Sequence, residues 1–140
     1  MPGLTLTLVT PEREVLRVED VDLVVAPGVD GQLGILPRHA SLVTQLEPGT
    51  MRLRHGADET YLSISGGFLQ VMDDVVTVLA DASEQHHEID VERAEQARRN
   101  AQAEFADARV SHDPMQLERA RLAMLRALAR LRTVERAGRR

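Results

Sequence analysis

The stretch VVTVLADASEQHHEIDVERAEQARRNAQAEF, residues 75–105, contains the transition that decides the fold. Its first residues, Val75 to Ala80, are aliphatic and largely β-branched, a composition that suits a pleated strand. From Asp90 the period changes. No Gly or Pro occurs until Pro114, and Val91, Ala94, Ala97 or Arg98, Ala101, Phe105 and Ala108 fall three or four apart, as on one helix face. Asp90 suits the N-cap. A β unit therefore ends near residue 84 and a helical unit begins near residue 90.

Towards the N-terminus the strand signals continue. Leu4, Leu6 and Leu8 alternate with Thr5 and Thr7, and Val21, Leu23 and Val25 repeat the pattern. Further candidates are Gln32 to Leu36, Leu42 to Leu46, Thr50 to Arg54, Glu59 to Ile64 and Phe68 to Met72. Turn signals at Pro48-Gly49, Gly56, Gly66-Gly67 and Asp73-Asp74 separate them. This predicts an all-β sandwich of about ten short strands over residues 1–84. Towards the C-terminus, Ser111-His112-Asp113-Pro114 ends the first helix and starts a second. Asp113 is placed to cap it, Pro114 to occupy its first position and Gln116 to complete a capping box. Leu117, Ala120, Met124, Leu128, Leu131 and Val134 share one face of that helix. So short a connection predicts an antiparallel α-helical hairpin over residues 90–140, with residues 85–89 as linker.

Composition narrows the chemistry. The 140 residues include no Cys, which excludes disulfides, thiol nucleophiles and thiolate metal sites. All 17 cations are Arg, so no lysine is present for a Schiff base or a P-loop. Tyr61, Phe68 and Phe105 are the only aromatic rings, too few for a base-stacking platform. No apolar run reaches spanning length, and the start MPGLTLTLVTPER lacks a leader pattern, so a soluble chain beginning near Met1 is expected. Gly28, Gly31 and Gly34 match no dinucleotide or phosphate-loop spacing, and His86-His87-Glu88 has no metal-ligand spacing. No catalytic residues or metal site are expected.

Charge is distributed unevenly. Residues 1–88 carry 14 acids and 5 Arg, whereas residues 89–140 carry 8 acids and 12 Arg. The first helix is rich in Ala, and six Ala between Asp90 and Val110 forgo on the order of 10 kcal/mol of burial against a Leu-rich seam. Folding the hairpin about His112 sets Arg98 opposite Arg126 and brings Arg130 level with Arg93 and Ala94. Four guanidinium groups then converge near the sandwich, an arrangement that a phosphate-bearing anion would stabilise. A solvated Arg face is the plainer alternative, and a nucleic-acid contact through the final helix is disfavoured by the overall acidity.

Longer motifs carry a resemblance. Gly31-Gln32-Leu33-Gly34-Ile35-Leu36-Pro37-Arg38-His39-Ala40, Ser65-Gly66-Gly67-Phe68-Leu69-Gln70-Val71, Val76-Thr77-Val78-Leu79-Ala80-Asp81 and Ile89-Asp90-Val91-Glu92-Arg93-Ala94 follow one another in the order found in the epsilon subunit family of F-type ATP synthases. The chain resembles that family over nearly its whole length. The resemblance implies a non-catalytic central-stalk subunit whose partners are the gamma subunit, the c-ring and the alpha/beta catalytic head. It would sit peripherally on the cytoplasmic side of a bacterial cell membrane, couple ring rotation to the head, and inhibit ATP hydrolysis through a mobile helical tail. No cofactor is required. Family members that bind ATP as a regulatory ligand do so at positions matching Glu84, Ile89, Asp90, Arg93, Ala94, Arg126 and Arg130. A further family arginine is Asn100 here, with Arg98 and Arg99 adjoining it as replacements. The c-ring contact falls on Gln32 and Leu33, where the family commonly carries an acid at the first position. A stand-alone ATP-gated sensor acting on another partner is the competing reading.

Overall fold

A computed structural model of the chain describes residues 3–138. Arg139 and Arg140, counted above with the basic tail, lie outside the described residues. Eight strands are followed by two helices: β1 (Leu4–Val9), β2 (Glu14–Val21), β3 (Leu23–Gly28), β4 (Gly31–Ile35), β5 (Leu42–His55), β6 (Asp58–Met72), β7 (Val75–Ala80), β8 (Ser83–Gln85), a 3-10 turn (His86–Glu88), α1 (Val91–Ser111) and α2 (Pro114–Ala137). The strands run in the order β2-β1-β7-β6-β5-β3-β4, with β8 on β6, and fold over themselves as a sandwich. Among the described residues only β1 and β7 pair in parallel; every other pair is antiparallel.

The strand count differs from the expected ten for a physical reason. Pro48-Gly49 and Gly66-Gly67 lie within long strands as bends. The β5–β6 ladder runs from Leu42 opposite Val71 to His55 opposite Asp58, and Pro48 stands opposite Ser65. Gly66 and Gly67 have φ of 105° and 134°, and a Cβ at Gly67 would lie 2.1 Å from the Leu79 carbonyl oxygen. Glycine is therefore required where β6 turns the corner between layers. Strand β2 received no signal of its own in the sequence, because its buried Val15 and Val21 lie among exposed charges.

The core is aliphatic, as the shortage of rings demands. Leu4, Leu6 and Leu8 alternate into it fully buried and meet Val24, Ile35, Met51, Leu53, Leu62, Ile64, Leu69, Val76 and Val78. Phe68 instead stands 53 % exposed on the outer face.

Helix α1 starts at Asp90, whose Oδ1 accepts the Arg93 N–H at 3.1 Å. It ends at His112, whose left-handed φ of 55° reverses the chain. Asp113 Oδ1 then accepts the N–H groups of Met115 and Gln116, with Pro114 in the first turn. The expected capping box is not completed, since the Gln116 side chain accepts from the Ser111 hydroxyl across the turn. Helix α2 lies against β5 and β6, and α1 packs on α2. The seam between the helices is built from Ala94, Ala101 and Ala108, seven apart, with Ala120 and Ala127 also buried. Because α2 is enclosed on two sides, its small residues Ala127, Ala129 and Thr133 occupy the points of closest approach. Leu117, Met124, Leu128, Leu131 and Val134 are only half-buried.

Candidate functional site

Four elements enclose the site. The bend in β6 supplies Ser65, and β8 with the residue before it supplies Glu84 and Ala82. Helix α1 supplies Arg93 and Ala97, and α2 supplies Ala123, Arg126, Ala127 and Arg130. They line a cavity of about 390 Å³, within the range of roughly 300–1,000 Å³ that small-molecule sites occupy. The spacing on α2 is what makes it. Arg126 and Arg130 are one turn apart on one face, and Ala123 and Ala127 leave the space between them unfilled.

The arginines differ in their commitments. Arg130 Nε lies 2.7 Å from Glu84 Oε1, a close ion pair whose Nε–H is not aligned for a hydrogen bond, and its Nη2 reaches Glu84 Oε2 at 3.5 Å. The exposed side chains of Arg93 and Arg126 make no hydrogen bond or ion pair among the described residues. Three guanidinium groups thus share a cavity with one carboxylate, leaving an excess of positive charge there.

The expected fourth member is absent. Arg98 does not line this cavity, because Glu95, three residues before it on α1, holds its Nε and Nη2 at 3.1 Å. Arg99 is turned to Gln96, and Asn100 accepts from Gln96 on the exposed side. None of these replaces the missing family arginine in the cavity. Of the other expected residues, Ile89 and Ala94 are buried and Asp90 caps α1; none of the three lines the cavity. Ser65, Ala82, Ala97, Ala123 and Ala127 were not expected from the sequence to line the cavity. For the last three the available signal was small residues flanking the arginines on the same helix faces.

Further contacts fasten the hairpin. Thr50 of β5 and Thr133 of α2 place their hydroxyl oxygens 3.0 Å apart in a buried contact. The Arg136 guanidinium lies 5.9 Å from the centre of the Tyr61 ring. Tyr61 Oη donates to Glu59 at 2.7 Å, and Arg52 donates to the same carboxylate at 2.8 Å. The Tyr61 hydrogen bond, joined by Arg52, holds the Glu59 carboxyl below its ordinary range despite desolvation, and it raises the Tyr61 phenol. Gln32 is exposed on β4 and faces α2 across a second cavity of about 260 Å³, which Thr50 and Arg136 also line. Leu33 packs in part against the core. The outer sheet face exposes Val43, Phe68, Met72, Val75 and Leu79, each at least 44 % accessible.

A β-sandwich fastened by polar contacts to a helical hairpin, with an arginine-lined cavity between them, defines a protein of two parts. Comparison with known proteins shows its family. Residues 3–86 match the β-sandwich domain of the ATP synthase delta/epsilon chain, and residues 87–135 match its long α-helix domain. The ATP synthase epsilon chain of Dehalococcoides mccartyi strain BAV1 is 44 % identical over 135 residues, covering 96 % of this chain and 94 % of that one. That of Pelotomaculum thermopropionicum is 50 % identical over 101 residues, 72 % of this chain and 75 % of that one. A chain in the Euglena gracilis mitochondrial ATP synthase assembly of OSCP, F1 and c-ring superposes with a TM-score of 0.78 at 27 % identity, covering 93 % of this chain and 79 % of that chain. The chain belongs to the epsilon subunit family of F-type ATP synthases. It is a non-catalytic rotor subunit, as the sequence motifs implied.

Proposed function

We propose that this subunit couples rotation through its sandwich and restrains hydrolysis through its hairpin, with ATP as the ligand that keeps the hairpin docked. The observation that carries this reading is the cavity in which Arg93, Arg126 and Arg130 meet Glu84. Its walls come from both helices and the sandwich, so a ligand held there is bound only while the hairpin is folded back. The arginines supply charge-assisted donors for phosphates, and Glu84 accepts from the base or ribose. Asp90 caps the helix that carries Arg93, while Ile89 and Ala94 anchor its first turn, so these three act by positioning.

Linkage sets the size of the effect. A ligand that recognises only the docked state stabilises it by about 2.7 kcal/mol at a hundredfold excess over its Kd. Abundant ATP then keeps the hairpin off the catalytic head. When ATP falls, the Arg-rich α2 is released towards acidic surfaces of the alpha/beta subunits.

The outer sheet face of Val43, Phe68, Met72, Val75 and Leu79 suits the gamma subunit, since so large an exposed apolar patch favours a protein partner. Gln32, beside the β3–β4 turn, meets the c-ring by a neutral hydrogen bond in place of a carboxylate, with Leu33 fixing the turn to the core. The subunit thereby lies peripherally, on the cytoplasmic face of a bacterial membrane.

Calorimetric titration of the isolated full chain with ATP tests the ligand. Saturable binding is expected in the parent and loss of affinity in Arg126→Ala. No heat of binding at millimolar ATP would reject the clamp.

A further inference from the structure

We propose that a buried hydroxyl relay, from Thr50 to Thr133 to the Ala129 carbonyl, is the latch that sets how readily the hairpin leaves the sandwich in the absence of any ligand. The inference rests on the reading that the hairpin undocks, and it assigns that equilibrium to particular atoms.

Thr133 is fully buried and Thr50 is 8 % exposed. Thr133 Oγ1 lies 2.7 Å from the Ala129 carbonyl oxygen, whereas Thr50 Oγ1 lies 3.4 Å from that oxygen and 3.0 Å from Thr133 Oγ1. The shorter distance assigns the donors. Thr133 donates to Ala129 O, and Thr50 donates to Thr133 Oγ1. Both protons are used, and each hydroxyl is satisfied within the protein, with Thr50 and Ala129 at the wall of the cavity of about 260 Å³. Ala129 is itself a small residue, which lets α2 approach β5 closely enough for the relay to form.

Such a relay orients without adhering. On departure, each hydroxyl exchanges its protein partner for water at little net cost, whereas an apolar pair of the same shape would penalise exposure. The ion pair of Arg130 with Glu84 and the stacking of Arg136 on Tyr61 lie at the margins of the same interface, where salt and solvent weaken them. Thr133, at the centre of the relay, is fully buried.

The donor order makes the two threonines unequal. Thr133→Val keeps the shape but removes the acceptor, leaving the buried Thr50 proton only the 3.4 Å contact with Ala129 O. Thr50→Val leaves Thr133 still donating to Ala129 O at 2.7 Å. The double valine variant is an apolar contact with no orphaned group.

The chain has no cysteine, so Ala57→Cys on the β5–β6 turn and Val110→Cys near the end of α1, both exposed, place a clean spin-label pair on the full-length protein. Distance distributions without nucleotide should show Thr133→Val raising the undocked-to-docked ratio by about fivefold or more, as an orphaned buried donor requires. Thr50→Val should be no more undocked than the parent, and the double variant, which presents an apolar pair, should be more docked than the parent. Thr133→Ser, which keeps the hydroxyl, should remain docked. Equal effects of the two valine substitutions, or no effect of Thr133→Val, would overturn the relay. If ATP shifts the parent distribution while the valine variants behave alike, the relay fails and the nucleotide clamp stands. A single docked distance in every variant, with and without ATP, would remove both.

Discussion

Arg126 and Arg130 stand one turn apart on α2, yet their surroundings predict different consequences on truncation. Arg126 has no partner among the described residues, so Arg126→Ala should leave the fold intact while lowering ATP affinity by about tenfold or more, the worth of one hydrogen bond to a charged group. Arg130→Ala also breaks the Glu84 pair and should lower both ATP affinity and hairpin docking; calorimetry and hydrogen exchange on α2 separate the two effects. Glu59 and Tyr61 carry a pH dependence. The folded state holds the Glu59 carboxyl below its ordinary 4.5, so its contribution is present above that value and is lost as pH falls through the lowered one. The Tyr61 phenol is raised above 10.0, so its contribution holds below that pH and is lost as pH rises through the raised value. Thermal midpoints of Glu59→Gln should accordingly fall below the parent at neutral pH and converge with it in acid. Persistence of the full difference at pH 2 would contradict this origin. At this scale, Arg93, Arg126 and Arg130 were legible because helical spacing and the hairpin reversal fix their level, whereas Glu84, on β8 before the helices, was reached only through the family resemblance. Arg98 was misread because a local carboxylate, Glu95, competes for it within the same helix.

Among the elements, the Ala seam does two things. Ala94, Ala101 and Ala108 let α1 and α2 approach closely, and Ala97, Ala123 and Ala127 leave the cavity open. Ala97→Leu should fill the cavity and abolish ATP binding while the hairpin remains helical by circular dichroism. Ala101→Leu should instead wedge the helices apart at a cost of roughly 1–3 kcal/mol, read as a lower thermal midpoint of the hairpin. The capping residue Asp113 invites the same treatment: Asp113→Ala should destabilise the hairpin by about 1 kcal/mol. Both helices, their caps and their reversal at His112 were readable, because period, cap chemistry and breaker agree. Strand number was not, because Pro and Gly mark a corner inside a strand with the same residues that mark its end. Only the continuous β5–β6 register tells the two apart. Nor could residue spacing reveal that α2 is covered on two sides, which is why its buried positions are Ala and Thr while the leucines lie at the edges.

As a whole, the molecule joins a tightly packed sandwich to a loosely fastened hairpin. The sandwich buries a continuous aliphatic core, whereas the contacts that fasten the hairpin include small residues, the Thr50–Thr133 hydroxyls, the Arg130–Glu84 pair and the Arg136 guanidinium over Tyr61. On the proposed reading, that contrast makes the hairpin the part that local opening releases first, and the concentration of arginine in α2 directs it towards an acidic surface. Hydrolysis by the assembled synthase containing this subunit, full-length or lacking residues 89–140, is the most direct measurement of that design. At low ATP the truncated form should hydrolyse faster than the full-length form, and raising ATP should close the gap, with synthesis retained in both. Equal hydrolysis by the two forms at every ATP concentration would contradict the releasable hairpin and leave the subunit a passive coupling element.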